Sequence, residues 1–276
     1  MTRTLVIHIG GIGDFLLSCP ALPGLRRDGP VELLGRRERL QVAVDGGLAD
    51  AAHEADSVDM GTMFGTPSPR LRSFLARFDR CVAWIGPGDG IPGSIRECGV
   101  SDVRAYAGLP PADWARHASE YYLECLNLDD PGPPRLALPD EDGKRGLDVV
   151  IQPGSGGAYK NWPLENFRAV NEELSRRGRR VVWCTGPAEE EMPRLEPSLP
   201  PMRLPELARA LARARLYIGN DSGITHLAAA SGCRTVAVFG PTDPAVWAPR
   251  GKNVGVAGGG GGFPKAGDVL AALADW

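Results

Sequence analysis

Residues 216–239 hold two short apolar runs around one stretch of helical period, and this arrangement leaves few folds open. Residues 216–219 read as a strand and Asn220-Asp221-Ser222 as a polar turn. A helix then opens on Ser222, with Ile224, Leu227, Ala228 and Ser231 on one face and Gly232 as its stop. Residues 235–239 read as the next strand. A strand, a helix and a second strand joined this tightly form a parallel crossover, which puts the polar turn at the carboxyl edge of an open α/β sheet, where ligands bind. The first N–H groups of the helix lack intrahelical partners and carry the positive end of its dipole, an arrangement that suits a phosphate.

The same alternation runs through the chain. Strands are expected at 4–9, 31–34, 80–85, 147–152, 180–185, 216–219 and 235–239, mostly as continuous Val/Ile/Leu runs of the kind covered on both faces. A helix is expected at 163–177 on the stripe Leu164, Phe167, Val170 and Leu174, and another at 204–215 on Leu204, Leu207, Ala208, Leu211 and Ala212. The pattern breaks at 129–146, where Pro131, Pro133, Pro134 and Pro139 precede Asp140-Glu141-Asp142-Gly143. This reads as an interdomain linker. The expectation is α/β with two Rossmann-like domains, residues 1–143 and 144–276, their parallel sheets facing a central cleft. Five glycines at 258–262 read as a flexible loop, and 267–276 as a short terminal helix.

Composition excludes several classes. A net charge of −3 argues against non-specific nucleic-acid binding. The six cysteines are scattered without a Cys-x-x-Cys pair, so they read as buried thiols in a reducing compartment rather than metal ligands or disulfides. The apolar run 5–9 is too short for a signal peptide, and no stretch approaches a membrane span. A cytoplasmic protein is expected.

Four segments carry chemistry. In Leu5-Val6-Ile7-His8-Ile9-Gly10-Gly11-Ile12-Gly13-Asp14 a strand enters a glycine turn and then a helix. A dinucleotide fingerprint fails here: the third glycine is missing, and Asp14 would repel a pyrophosphate. Asp14 is either a helix N-cap or a base directed into the cleft. In Gln152-Pro153-Gly154-Ser155-Gly156-Gly157-Ala158-Tyr159-Lys160 a small-residue loop precedes a helix beginning at Pro163. Its amides and one lysine can hold a diphosphate, although it is not a Walker loop; a lysine in a loop is otherwise solvated. Gly186-Pro187-Ala188-Glu189-Glu190-Glu191 puts carboxylates at a strand end, either for ribose hydroxyls or as ordinary helix N-terminal acids. The fourth is the turn from Asp221 to His226, where the imidazole serves either a phosphate or the core. Weaker signals are Asp140-x-Asp142, read as solvated, and Arg26, Arg27, Arg36, Arg37 and Arg39, a solvated face or a dock for an anionic acceptor. His117 reads as a cap or surface residue before a helix with Tyr121, Tyr122 and Leu126.

Together these segments resemble glycosyltransferase family 9, the lipopolysaccharide heptosyltransferases. The matching residues are Gly13-Asp14-x-Leu16-x-x-x-Pro20-Ala21-Leu22, Pro153-Gly154-Ser155, Lys160-x-Trp162-Pro163 and Gly186-Pro187-Ala188-Glu189. Asn220-Asp221-Ser222-Gly223-x-x-His226-Leu227-Ala228, Phe239-Gly240-Pro241-Thr242-Asp243-Pro244 and Trp247-x-Pro249 follow in order. The resemblance implies a GT-B fold and an inverting, metal-independent transfer from an ADP-sugar, commonly ADP-heptose, to a lipopolysaccharide-like or other glycan acceptor, with no cofactor. It implies Asp14 as catalytic base; Gly11, Gly13 and Arg36 are expected toward the acceptor. Lys160 would act on the diphosphate, joined by Gly154, Ser155, Gly186, Asp221, Ser222, Gly223, Ile224, Thr225 and His226 in the donor site. Glu189, or its neighbour Glu190, would bind ribose. No nucleic-acid partner and at most peripheral membrane contact are expected. His8 stands where the family usually has a basic residue, and the glycine run lacks the cysteine-containing stretch of many members. The alternatives are a nucleotide-sugar epimerase of the same fold and a non-catalytic nucleotide-sugar-binding module.

Overall fold

The computed structural model describes all residues except 87, 89, 139–145, 187, 188, 191 and 274–276. Asp140-x-Asp142, Pro187, Ala188, Glu191, the expected boundary at 143/144 and the end of the terminal helix therefore lie outside the described residues. The strands are β1 (Thr4–His8), β2 (Val31–Gly35), β3 (Ala51–Glu54), β4 (Arg80–Trp84), β5 (Asp102–Tyr106), β6 (Leu147–Gln152), β7 (Val181–Trp183), β8 (Ala214–Asn220), β9 (Arg234–Phe239) and β10 (Val254–Gly258). The helices are α1 (Ile12–Ser18), α2 (Leu22–Arg26), α3 (Arg37–Asp45), α4 (Pro69–Leu75), α5 (Ile91–Glu97), α6 (Ala118–Leu126), α7 (Leu164–Arg176), α8 (Leu204–Ala212), α9 (Gly223–Ala230), α10 (Pro244–Trp247) and α11 (Ala266–Ala271).

Two compact units result, one of residues 1–114 and 118–132, the other of 115–117 and 133–276. The first holds a parallel sheet in the order β3-β2-β1-β4-β5, the second a parallel sheet in the order β10-β9-β8-β6-β7. In each, the strand order reverses once: between β1 and β4 in the first, between β6 and β8 in the second. The loops after β1, β6 and β8 open at these switch points, where neighbouring connections diverge and leave a crevice.

Both faces of each sheet are covered, as continuous apolar strands require. In the first unit Leu5, Ile7, Cys81 and Ala83 point to a core shared with Leu71, Phe74, Ile91 and Ile95 of α4 and α5. Alternation sends Val6 and His8 to the opposite face, where Phe15 of α1 meets His8. In the second unit Val149, Ile151, Leu216 and Ile218 pack with Phe167, Val170 and Leu174 of α7. These three helix residues recur at i, i+3 and i+7, and burying each is worth about 1.5–3 kcal/mol.

Three strands escape the sequence expectation: β3, β5 and β10, each at a sheet edge. The glycine run is also not a loose loop. Gly258 ends β10, and Gly259 bridges to Gly262 across a tight turn with left-handed backbone at Gly258, Gly259, Gly260 and Gly261. A side chain at Gly258 would collide with the Phe239 carbonyl, so glycine there serves packing.

Candidate functional site

In the second unit the loop after β6 and the turn after β8 are held as one piece. Asn220, fully buried, donates from Nδ2 to the Pro153 carbonyl (2.6 Å) and accepts the Trp162 amide at Oδ1 (2.9 Å). The Trp162 indole donates to the Pro264 carbonyl (2.9 Å). Between these anchors the Ser155 hydroxyl lies 2.8 Å from the Gly157 carbonyl and 2.7 Å from Asn161 Oδ1, which folds the loop onto itself. Lys160 follows and places Nζ 3.1 Å from Asp221 Oδ2; the Thr242 hydroxyl donates to the same oxygen (2.9 Å). The Lys160 side chain is 23% exposed and that of Asp221 8%, so the carboxylate is sunk while the ammonium remains reachable. Asp221 thus positions the lysine rather than meeting an anion itself.

Ser222 caps α9, accepting the Thr225 amide at its hydroxyl (3.3 Å). That consumes one of the amides expected to face a phosphate. The amides of Gly223 and Ile224 belong to the first turn, where no intrahelical acceptor exists, and both residues are partly exposed. Ile224, expected on the buried stripe, sits at this open edge because Thr225, His226, Leu227, Ala228 and Ala230 fill the interior. Burial pushes the His226 imidazole down to about 4 against the pull of Asp221, so the ring is neutral at pH 7.

Behind the turn lies a buried polar relay. The Tyr217 hydroxyl donates to Gln152 Oε1 (2.7 Å), Ser222 Oγ lies 3.2 Å from the same oxygen, and Gln152 Nε2 donates to Glu189 Oε1 (3.1 Å). Glu189 Oε2 accepts the Gly186 amide (2.7 Å). Glu189 is 5% exposed, and its pKa is raised by burial against these hydrogen bonds. A methyl group at Gly154 would strike its carboxylate. Glu189, expected at the ribose, braces the Gly154 loop against the Gly186 turn, and Glu190 beside it is exposed.

In the first unit the turn after β1 carries Gly11 as the N-cap of α1. Asp14 is not the cap: it occupies the third helical position, half-buried, and its Oδ2 accepts the Gly11 amide (3.0 Å). Gly13 lies in the same turn. Arg39 donates to the Gly10 carbonyl (2.8 Å) and fixes the turn from α3. Arg36 is exposed at the start of α3, directly after β2, and so shares this carboxyl edge. The Asp14 charge reaches Tyr122 of α6, whose pKa is raised first by burial and then by Asp14. Arg26 is engaged elsewhere, on the Gly47 carbonyl and Asp50, and the Arg37 amide bonds Glu54. His117 is half-buried with Nε2 2.8 Å from the Ala248 carbonyl, not a surface residue.

Sequence reading did not assign Gln152, Tyr217, Asn220 or Thr242 a role, and it placed Arg39 on a solvated or acceptor-docking face rather than on the Gly10 carbonyl. A usable signal existed for three of them: polar groups inside or ending otherwise apolar strands need buried partners. What results is one edge bearing a cation and two open amides, suited to a diphosphate, and another bearing a half-buried carboxylate at a helix start, suited to accepting a proton.

The model of glycosyltransferase family 9 (heptosyltransferase) matches residues 135–264. Lipopolysaccharide heptosyltransferase 1 of Pseudomonas aeruginosa is 31% identical over 173 residues, 54% of this chain and 47% of the relative. Lipopolysaccharide heptosyltransferase 3 of Escherichia coli is 30% identical over 157 residues, 52% of this chain and 41% of the relative. The chain thus spans less than half the length of these two curated relatives. Among solved structures, E. coli ADP-heptose lps heptosyltransferase II superposes with a TM-score of 0.77 at 18% identity, covering 98% of this chain and 97% of that one. E. coli heptosyltransferase WaaC with ADP gives 0.73 at 20% identity, covering 99% of each. These likenesses establish the fold, two Rossmann-like domains of the GT-B class. The matched stretch makes up most of the second unit, and in that part the chain resembles glycosyltransferase family 9, the heptosyltransferase family.

Proposed function

We propose that this chain is an inverting, metal-independent glycosyltransferase that moves a sugar, heptose, from an ADP-sugar to a lipopolysaccharide-like or other glycan acceptor. The observation that carries the reading is Lys160, held by Asp221 and Thr242 beside the open first turn of α9, inside the segment matched by the family model. Relatives named lipopolysaccharide heptosyltransferase support the reaction class, and a solved relative bound to ADP-2-deoxy-2-fluoro heptose supports the donor.

In the proposed reaction Asp14 takes the proton of an acceptor hydroxyl as that oxygen attacks the anomeric carbon on the face opposite the diphosphate. The bond from the sugar to the diphosphate oxygen breaks, and ADP leaves with the electron pair. Lys160 and the amides of Gly223 and Ile224 stabilise the charge that develops on it, which is the work a metal ion does elsewhere. Glu190 meets the ribose hydroxyls, and Gly11, Gly13 and Arg36 meet the acceptor. No helix among the described residues is long and apolar enough to cross a membrane; the proposed location is the cytoplasm, with at most peripheral contact to a membrane and no nucleic-acid partner.

Two experiments test this. A thermal-shift panel of ADP-, UDP- and GDP-sugars should single out the ADP series. Asp14→Asn should lower transfer by about 100- to 10,000-fold while ADP affinity stays within twofold. Full turnover in that variant would remove Asp14 from its role. Sugar conversion without acceptor would favour an epimerase, and donor binding without turnover in the wild type would favour a binding module.

A further inference from the structure

His8 ends β1 at the switch point and is 2% exposed, with its ring edge-on to Phe15 at 5.4 Å. Neither ring nitrogen has a hydrogen-bond partner. A buried polar N–H left so costs about 1–3 kcal/mol, which an apolar ring of the same shape would avoid. The groups acting on it are Arg39 of α3, engaged with the Gly10 carbonyl, and Asp14 of α1, whose charge also reaches Tyr122 of α6. Burial and then the Arg39 guanidinium push the imidazole down to about 4, the Asp14 backbone opposing from outside hydrogen-bonding geometry. The ring is therefore neutral near pH 7 and keeps one N–H to donate.

A methyl group added at Gly10 would lie 2.9 Å from His8 Cε1 and 3.3 Å from Asp14 Oδ2. Imidazole and carboxylate thus flank one small gap that glycine keeps open. In this state Asp14 Oδ2 is held by the Gly11 amide. A carboxylate that swings toward an acceptor hydroxyl gives up that donor and gains from a replacement that fixes its orientation. A neutral donor does this without lowering the carboxylate's basicity as a cation would. We infer that His8 is a positioning residue whose N–H donates across the Gly10 gap to the Asp14 carboxylate when Asp14 turns to the acceptor. This rests on the reading of Asp14 as the base.

The test compares wild type, His8→Phe, His8→Gln and Gly10→Ala. ADP release from ADP-heptose is measured with heptose-less lipopolysaccharide as acceptor, ADP affinity by calorimetry, and stability by thermal midpoint. His8→Phe should melt at or above the wild-type temperature and bind ADP as wild type. Its kcat should fall about 10- to 100-fold with acceptor KM little changed, as for other supporting hydrogen bonds. His8→Gln keeps an N–H and should recover most of the loss. Gly10→Ala fills the gap and should copy His8→Phe. Wild-type kcat in a folded His8→Phe, or His8→Gln as slow as His8→Phe, overturns the inference while leaving the transferase reading intact. No transfer by the wild type, with ADP still bound, would instead sink the transferase reading and the inference with it.

Discussion

Lys160→Ala should weaken ADP binding more than loss of one contact would suggest, because two effects act in the same direction. The ammonium stands 3.1 Å from Asp221 Oδ2, so the two form a balanced pair. Truncation removes the cation from the diphosphate, and a charge-assisted hydrogen bond is worth about 1.5–3 kcal/mol. It also leaves Asp221 with the Thr242 hydroxyl but without its cation, and that anion repels the ligand. Full unit charges about 4 Å apart at an effective dielectric near 20 interact by about 4 kcal/mol, which bounds this repulsion alone from above; the Thr242 hydrogen bond and solvent screening reduce it to about 1 kcal/mol or less. A loss of about 2–4 kcal/mol corresponds to ADP binding about 30- to 700-fold weaker. Calorimetric titration of ADP at roughly physiological salt (about 0.15 M,) measures it. Asp221→Asn added to Lys160→Ala should return part of the affinity, since the stranded charge goes with it. A Lys160→Ala variant within threefold of wild type, or a double variant no better than the single, would refute the reasoning.

Three further outcomes are expected. Gly154→Ala should lower stability by about 1–3 kcal/mol, because its methyl displaces the Glu189 brace; an unchanged thermal midpoint would remove that role from Glu189. Acid should destabilise the fold. His8 and His226 are both pushed from the ordinary 6.5 to about 4, so the unfolded chain takes up protons that the native chain refuses. Their contribution is intact above about pH 6.5 and is lost as pH falls toward 4; both together cost about 3–4 kcal/mol between pH 7 and 5. Glu189, raised by burial, acts in the opposite sense within the carboxylate range. Urea unfolding at the two pH values reads the difference, and equal stabilities would contradict the burial of both rings. Transfer should persist in excess chelator, and a rate that collapses there and returns with added cation would end the metal-independent proposal.

The interior of each sheet was legible because it is buried on both faces: β1, β4, β6, β8 and β9 are nearly unbroken apolar runs. The missed strands are edges. Residues of β3 and β5 are all half-buried, and β10 mixes glycine with small apolar residues, so none forms a continuous apolar run. In the candidate site, chain-local features could be read: the helix start at Ser222, the open first turn of α9, and the lysine at a strand end. Pairings made by topology could not. Lys160 and Asp221 are 61 positions apart, and Gln152 and Glu189 are 37. That Glu189 turns inward while Glu190 stays exposed depends on how the short β7 delivers Gly186, and composition is silent on that. The glycine run misled for a related reason: freedom of backbone was taken for looseness, whereas here it permits a left-handed turn that no other residue would follow.

On the proposed reading of Lys160 as the diphosphate ligand, Asp221 bears on selectivity. By matching the lysine's charge before any ligand arrives, it leaves the vestibule close to electrically neutral. A lone phosphate or sulfate, abundant in any cell, then finds little net attraction, because what it gains from the ammonium it loses to the carboxylate. Only a longer anion that also reaches the Gly223 and Ile224 amides collects enough contacts to stay. The ion pair thus works as a filter on ligand length as much as a handle for charge.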